Sequence, residues 1–161
     1  VKSVIVMAFS AWDKAFNLSV DSPNWLGYGM HAPDEQFESY YLSSEIMRNK
    51  AWSIVDYLQK RGFDSLIATG MPLKTSAVKC GLGCQGKNTL LITPEFGPRV
   101  RLISVLTAAE LDVDEPYKQN LCGDCERCLK ACPTKALEPY KLKINRCITY
   151  ASESPGSSDV P

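Results

Sequence analysis

The sequence is short of several things, and each shortage excludes something. Lys+Arg 18 against Asp+Glu 18 leaves no net charge, so a broadly basic nucleic-acid or membrane-binding surface has no support from composition. No uninterrupted apolar run approaches the ~18 residues of a transmembrane span. Neither a signal peptide nor a twin-arginine pair is visible. Histidine is almost missing: His31 stands alone, in a stretch of turn residues where such a side chain is more often a surface group than a catalyst. Cysteine, by contrast, is plentiful. Seven thiols are an odd number, and a reducing compartment, the cytoplasm, suits them better than a disulfide framework. The 161 residues are 45% hydrophobic and 22% charged, an ordinary globular composition, enough for one domain of about 100 residues and a smaller module.

Four of the cysteines form one run, Cys122-Gly-Asp-Cys125-Glu-Arg-Cys128-Leu-Lys-Ala-Cys132-Pro133. The spacing Cys-x-x-Cys-x-x-Cys-x-x-x-Cys-Pro is that of bacterial ferredoxins, which hold cubane iron–sulfur clusters. Two-residue gaps let a curled loop point Cys122, Cys125 and Cys128 at separate irons of one cube. Cys132 follows one helical turn later and points to another cluster, and Pro133 ends the turn because it has no N–H to extend it. Structural zinc instead prefers Cys-x-x-Cys pairs a dozen or more residues apart. Cys147, about fifteen residues beyond the run, suits a ligand of a second cluster; a buried structural thiol is the alternative.

Ahead of the run the chain reads as mixed α/β. Val4 to Phe9 is apolar on both faces, which suits a central strand. Residues 10–37 carry turn signals (Asp21-Ser-Pro-Asn, Gly27-Tyr-Gly, Ala32-Pro-Asp) and form a loop long enough to suspect a functional role. Glu38 to Arg61 has helical periodicity through Leu42, Ile46, Trp52, Val55 and Leu58, with Gly62 as the stop. Phe63 to Ala68 reads as a second strand and Lys74 to Cys80 as a short helix. Thr89–Thr93 and Val100–Thr107 read as the arms of a hairpin around Pro94–Pro98. Arg99 and Arg101 share a face of the second arm and either bind an anion or meet solvent. The acidic stretch Glu110–Gln119 is the best boundary, giving domains 1–111 and 112–161.

Between the short helix and the proposed hairpin lies Gly81-Leu-Gly83-Cys84-Gln-Gly86-Lys87-Asn88. Its Gly-x-Gly-x-x-Gly spacing matches the dinucleotide fingerprint, but the fingerprint needs a strand before and a helix after, and here the order is reversed. Three glycines allow close backbone approach to a flat or phosphorylated ligand, with Lys87 as a nearby cation. A turn needing positive φ accounts for one or two of them. Cys80 and Cys84 flank this turn and read as packing residues.

Taken together, Gly81-Leu-Gly-x-x-Gly-Lys87, the segment Leu91-Ile-Thr-Pro-Glu-Phe-Gly-Pro-Arg-Val-Arg101, the cysteine run and Arg146-Cys-Ile-Thr-Tyr150 resemble the superfamily of reductive dehalogenases and epoxyqueuosine reductases. The resemblance covers residues 62–150 most clearly. It implies a nitroreductase-like α/β domain followed by a bacterial-ferredoxin-like module, two 4Fe–4S clusters in the full-length protein, and base-off cobalamin that receives their electrons. It implies that Gly81, Gly83, Gly86, Lys87 and Asn88 face the corrinoid, and that Lys87 stands beside a tyrosine proton donor. Tyr40 or Tyr41 is the candidate, with Tyr28 in reserve. The expected partners are a low-potential donor, ferredoxin or flavodoxin, and a small-molecule or modified-nucleoside substrate.

The chain departs from the pattern in two places. No carboxylate lies between Leu66 and Met71, where epoxyqueuosine reductases carry an acid before the glycine turn. No second Cys-x-x-Cys run follows Tyr150, so Cys132 and Cys147 make half of a second ligand set. Together with Val1 in place of Met and the Ser/Pro/Gly-rich stretch Ser152–Pro161, this makes a fragment of a longer chain the expectation. Two other readings compete: a non-catalytic electron-transfer or corrinoid-carrier protein, and a flavin-dependent reductase of nitroreductase-like fold.

Overall fold

The computed structural model describes residues 1–10, 40–68 and 70–147, with the backbone alone for 40–43. His31, Tyr28 and Tyr150 lie outside the described residues, as do the side chains of Tyr40 and Tyr41. The chain divides into two compact units, one made of Val1–Leu73 with Arg99–Val113 and the other of Lys74–Pro98 with Asp114–Pro161. The break after Val113 falls in the acidic stretch that marks a boundary in the sequence. The glycine turn, however, groups with the cysteine run, across an intervening strand of the first unit.

In the first unit, strands β1 (Ser3–Ser10), β5 (Val100–Thr107) and β2 (Ser65–Ala68) form an antiparallel sheet in the order β1-β5-β2. The expectation of a central β1 is therefore corrected: β5 is central, and β1 is an outer strand among the described ones, half-buried along its length. An apolar run on both faces does not by itself separate these positions, because a helix and neighbouring chain can cover an outer strand too. β5 carries the fully buried Ser104, Val105 and Thr107.

Helix α1 (Tyr40–Gln59) lays Met47, Ala51, Val55 and Leu58 on Ile103, Val105 and Ala109. These helix positions recur at three and four residues and so form one stripe. The stripe is phased differently from the sequence reading: Trp52 is 58% exposed, and its small neighbour Ala51 is the residue that reaches the sheet. The helix stops as its sequence requires. Gly62 has φ +83°, its N–H bonds Gln59 O and the Phe63 N–H bonds Leu58 O, the paired bonds of a Schellman cap. Arg101 is taken up within this unit, its guanidinium donating to Ser44 Oγ on α1.

The second unit opens with α2 (Leu73–Lys79), followed by β3 (Cys84–Gln85) and β4 (Leu91–Ile92), which pair with each other. The expected hairpin between Thr89–Thr93 and Val100–Thr107 does not form. β4 turns back onto β3, while Thr93 and Gly97 bridge and the Thr93 hydroxyl accepts the Phe96 N–H, closing a small loop before β5 begins. After the linker come α3 (Arg127–Ala131), the two-stranded β6 (Leu137–Glu138) and β7 (Lys141–Leu142), and a 3₁₀ turn at Ile144–Arg146. The two stretches of the unit are stitched in step. Tyr117 N–H donates to Val78 O, Leu121 N–H to Cys84 Sγ, Lys87 N–H to Cys122 Sγ, and Tyr140 N–H to Lys87 O. Among the described residues no helix is long and apolar enough to cross a membrane.

Candidate metal centre

The cysteine run folds as a turn followed by a short helix. A turn brings the Cys125 N–H onto Cys122 O at 2.9 Å, and α3 then carries Cys128 with Cys132 as its C-terminal cap residue, the Cys132 N–H bonding Cys128 O. Four residues apart, Cys128 and Cys132 lie on one side of the helix. Both line a cavity of about 580 Å³ whose wall also includes Cys147, Asn88, Thr89 and Leu90. Cys147 reaches it from the end of the 3₁₀ turn, through its N–H bond to Ile144 O. Three of the five proposed ligands thus share one wall. Cys122 meets the glycine turn instead, and Cys125 is exposed.

All seven cysteines are free thiols. Their surroundings differ in a way that sorts them. The Cys132 thiol is held below its usual range: desolvation pushes it up, but N–H groups of Ala136, Leu137 and Thr134 and the Thr134 hydroxyl outweigh that by favouring the thiolate. The Ala136 N–H lies 3.3 Å from its Sγ. Burial, and then the Asp114 carboxylate, push the Cys80 thiol up, away from the ligating form. Cys84 is buried and accepts the Leu121 N–H at 3.4 Å. Cys80 and Cys84 therefore pack, as read from sequence. Among the described residues no three His, Cys, Asp or Glu side chains stand close enough to hold a single metal ion. A cubane spreads its thiolates over separate irons, and an all-thiol donor set is the chemistry that such clusters take.

The glycine turn has a different explanation from the one its spacing suggests. Gly81 has φ +75° and caps α2, with its own N–H on Val78 O and the Leu82 N–H on Ala77 O. A Cβ there would also lie 2.6 Å from Glu115 O; at Gly83 it would meet Ile92 O at 2.1 Å, and at Gly86 the Asn88 and Ile92 side chains at 2.6 Å. The space left by each missing side chain is filled by the chain itself. These glycines are required by the fold. Asn88 likewise serves the turn, its Oδ1 accepting the Leu90 N–H at 3.1 Å. Lys87 is half-buried and, among the described residues, its ammonium forms no ion pair.

Residues that sequence reasoning passed over also shape the centre. Asn120 Oδ1 accepts the Cys122 N–H at 3.0 Å, and its amide donates to the Tyr140 hydroxyl at 3.2 Å. An Asn two residues before the first cysteine is a legible signal for such a loop-closing bond. Thr89 (φ 63°) and Tyr140 (φ 63°) hold left-handed backbone at the hairpin turns, a conformation that neither residue type advertises.

No protein-family profile matches the chain. Individual proteins do. The chain is 33% identical over 118 residues to the epoxyqueuosine reductase of Bacillus subtilis (70% of this chain, 30% of that protein). It is 34% identical over 138 residues to that of Synechocystis (85% and 36%). Against a tetrachloroethene reductive dehalogenase of Desulfitobacterium hafniense it is 38% identical over 119 residues (68% and 21%). The chain thus spans about a third or less of the length of these relatives. A solved structure of the Bacillus subtilis epoxyqueuosine reductase superposes with a TM-score of 0.63 at 29% identity, over 70% of this chain and 31% of that one. The Streptococcus thermophilus epoxyqueuosine reductase shares the fold at a TM-score of 0.62 over 95% of this chain and 41% of that one, at 21% identity. With its mixed α/β fold, its cysteine run and these relatives among two kinds of reductase, the chain belongs to the superfamily of reductive dehalogenases and epoxyqueuosine reductases.

Proposed function

We propose that this chain is the cluster-bearing part of a cytoplasmic iron–sulfur reductase, a nitroreductase-like domain joined to a ferredoxin-like module. The observation that carries the reading is the meeting of Cys132 and Cys147 on one cavity wall, beside Cys128 of a run spaced for cubane clusters. Cys122, Cys125 and Cys128 would supply three of the four ligands of one 4Fe–4S cluster, and Cys132 with Cys147 would contribute to a second. Such a cluster supplies one-electron storage at low potential. The chain's own part is to hold the thiolates, to favour the ionised form at Cys132 through the N–H groups aimed at it, and to limit water at the cavity with Leu90, Leu137 and Leu142.

The expectation of base-off cobalamin rests on the resemblance and on relatives of this kind, one reductive dehalogenase structure being described in terms of B12-dependent dehalogenation. The packing of the three glycines against the chain itself lends it no separate support. A modified-nucleoside substrate draws support from an epoxyqueuosine reductase structure with an epoxyqueuosine-modified tRNA stem loop; a small organic substrate draws on the dehalogenase relative. A ferredoxin or flavodoxin is the proposed electron donor. The second reading, a protein that relays electrons without catalysing the reduction, needs only the cysteines and no ligand at the glycine turn, whose glycines the fold itself explains.

Iron and acid-labile sulfide, measured on anaerobically purified full-length protein, test the proposal. Two 4Fe–4S clusters are expected; a single cluster, or zinc in place of iron, overturns it. Cobalamin titrated into the same protein separates the two readings by the appearance of a base-off spectrum, and bound flavin would defeat both.

A further inference from the structure

The spacing of the glycine turn suggests a place where side chains withdraw from a ligand and Lys87 offers its charge. Its geometry gives Lys87 another task. The loop between β3 and β4 spans residues 86–90, closed by Gly86 N–H on Leu90 O at 2.8 Å and Thr89 N–H on Gly86 O at 2.9 Å. With Thr89 at φ 63°, this is a type I turn followed by a left-handed residue, the usual three-residue hairpin loop. Lys87 occupies the second position of that turn, where an N–H has no partner within the hairpin. That N–H points out and donates to Cys122 Sγ at 3.4 Å, while the Lys87 carbonyl accepts the Tyr140 N–H at 3.1 Å.

The peptide at Lys87 is thus held from both sides by the segment that carries the cysteines. Gly86 leaves room for that packing, since a Cβ there would meet the Asn88 and Ile92 side chains at 2.6 Å. Asn120 fixes the acceptor from its own side by taking the Cys122 N–H. An N–H dipole aimed at a thiolate stabilises negative charge on the sulfur, and hydrogen bonds to sulfur are among the levers that set a cluster's potential. Backbone donors of this kind also orient the ligand, as the outer contacts of metal sites do generally.

We infer that Lys87 is a positioning residue for the iron–sulfur centre through its main-chain N–H, which donates to Cys122 and raises the reduction potential of the cluster that Cys122 ligates. This rests on the proposed role of Cys122 as a ligand. It predicts that removing the Lys87 N–H shifts the potential of one cluster and leaves that of the other unchanged.

The second position of a type I turn is the one place where proline is favoured, so Lys87→Pro deletes the N–H with little strain. Lys87→Ala removes the same charge and keeps the N–H. Potentials of both clusters would be measured by EPR-monitored redox titration of the full-length holoprotein and each variant. The expected result is a more negative potential for one cluster in Lys87→Pro than in Lys87→Ala, with iron and sulfide unchanged. Equal potentials in the two variants overturn the inference. Should Lys87→Pro not fold, the wild-type protein labelled with ¹⁵N-lysine decides. Pulsed EPR of the reduced cluster should show a lysine ¹⁵N coupling that disappears in Lys87→Arg, where the donor is unlabelled. No such coupling also overturns it. Wild-type protein without iron and sulfide would instead overturn the cluster reading beneath it, a failure that metal analysis distinguishes from both others.

Discussion

The Ser65 hydroxyl donates to Thr107 Oγ1 at 2.8 Å inside the first unit, between residues that face each other in the β2–β5 register. Thr107 Oγ1 also accepts the Ala109 N–H at 3.0 Å, just past the strand end. One buried oxygen therefore serves two donors from two segments. Thr107→Val keeps the shape and strands the Ala109 N–H, while the Ser65 hydroxyl keeps the Phe63 carbonyl at 3.1 Å, so the first unit should lose about 1–3 kcal/mol, read as a lower denaturation midpoint with an unchanged slope.

Three residues away in the same strand the sign reverses. Ser104 is completely buried, and among the described residues its hydroxyl has no partner. Its desolvation is uncompensated. Ser104→Ala should leave stability unchanged or raise it by about 1 kcal/mol, in the same denaturation experiment. A loss comparable to that of Thr107→Val would mean that the hydroxyl has a role this geometry does not include.

The hairpin turn of the second unit should respond to glycine in opposite ways at neighbouring positions. Thr89 pays about 1–2 kcal/mol for left-handed backbone, so Thr89→Gly should stabilise the unit, by up to about 1 kcal/mol once the entropy of glycine is deducted. Gly83→Ala drives a Cβ into the Ile92 carbonyl and should unfold the β3–β4 pair. Amide hydrogen exchange at Leu91 and Ile92 reads both. Because any side chain at Gly83 collides with the chain's own backbone, a substitution there reports on folding rather than on ligand binding.

Metal content should separate the cysteines. Cys147→Ser is expected to cost about half the iron of the full-length protein, while Cys84→Ser, which touches a packing thiol, should leave iron unchanged and lower stability modestly. Equal iron loss in both would mean that the two thiols cannot be sorted by the cavity.

Acid should loosen the β6–β7 hairpin. The Glu138 carboxyl is held below its ordinary range, chiefly by its hydrogen bond and charge contact with Lys143. A carboxylate with a lowered folded pKa contributes stability above its ordinary value of 4.5, and that contribution is lost as pH falls through the lower folded one. Both groups are largely exposed, so the effect is small. It should appear as faster exchange of the Lys143 N–H, which bonds Ala136 O, below about pH 4.5. Glu138→Gln should remove that pH dependence.

What the sequence makes legible here is local. The Gly62 stop is written in consecutive residues and found as read, and helices lie where Glu38–Arg61 and Lys74–Cys80 predict them, as Tyr40–Gln59 and Leu73–Lys79. Pairing is not local. β3 is two residues long, Cys84-Gln85, with no alternation to announce it, so β4 looks for a partner in sequence and finds the wrong one in β5. The stripe of α1 is misphased for a simpler reason: Trp52 scores as hydrophobic, but only a residue as small as Ala51 lets the helix approach the sheet there. The glycines mislead because sequence reports that a side chain is absent and not what occupies the space. At Gly81, Gly83 and Gly86 the occupants are Glu115, Ile92 and Asn88, and two of those three are near neighbours in the chain.

The stitching of Lys74–Pro98 to the residues after Asp114 means that the cysteine run is not a cassette. A domain boundary placed by composition, cut at the acidic linker and moved to another protein, would carry every candidate ligand and yet leave behind the amide on Cys122, the carbonyl beneath Tyr140, and one wall of the cavity. Transplantation of the electron-carrying part would have to take two separate stretches and supply some bridge in place of β5. The same arrangement sets an order during synthesis: the hairpin at residues 84–92 emerges first and must wait, incomplete, until the cysteines that finish it have left the ribosome.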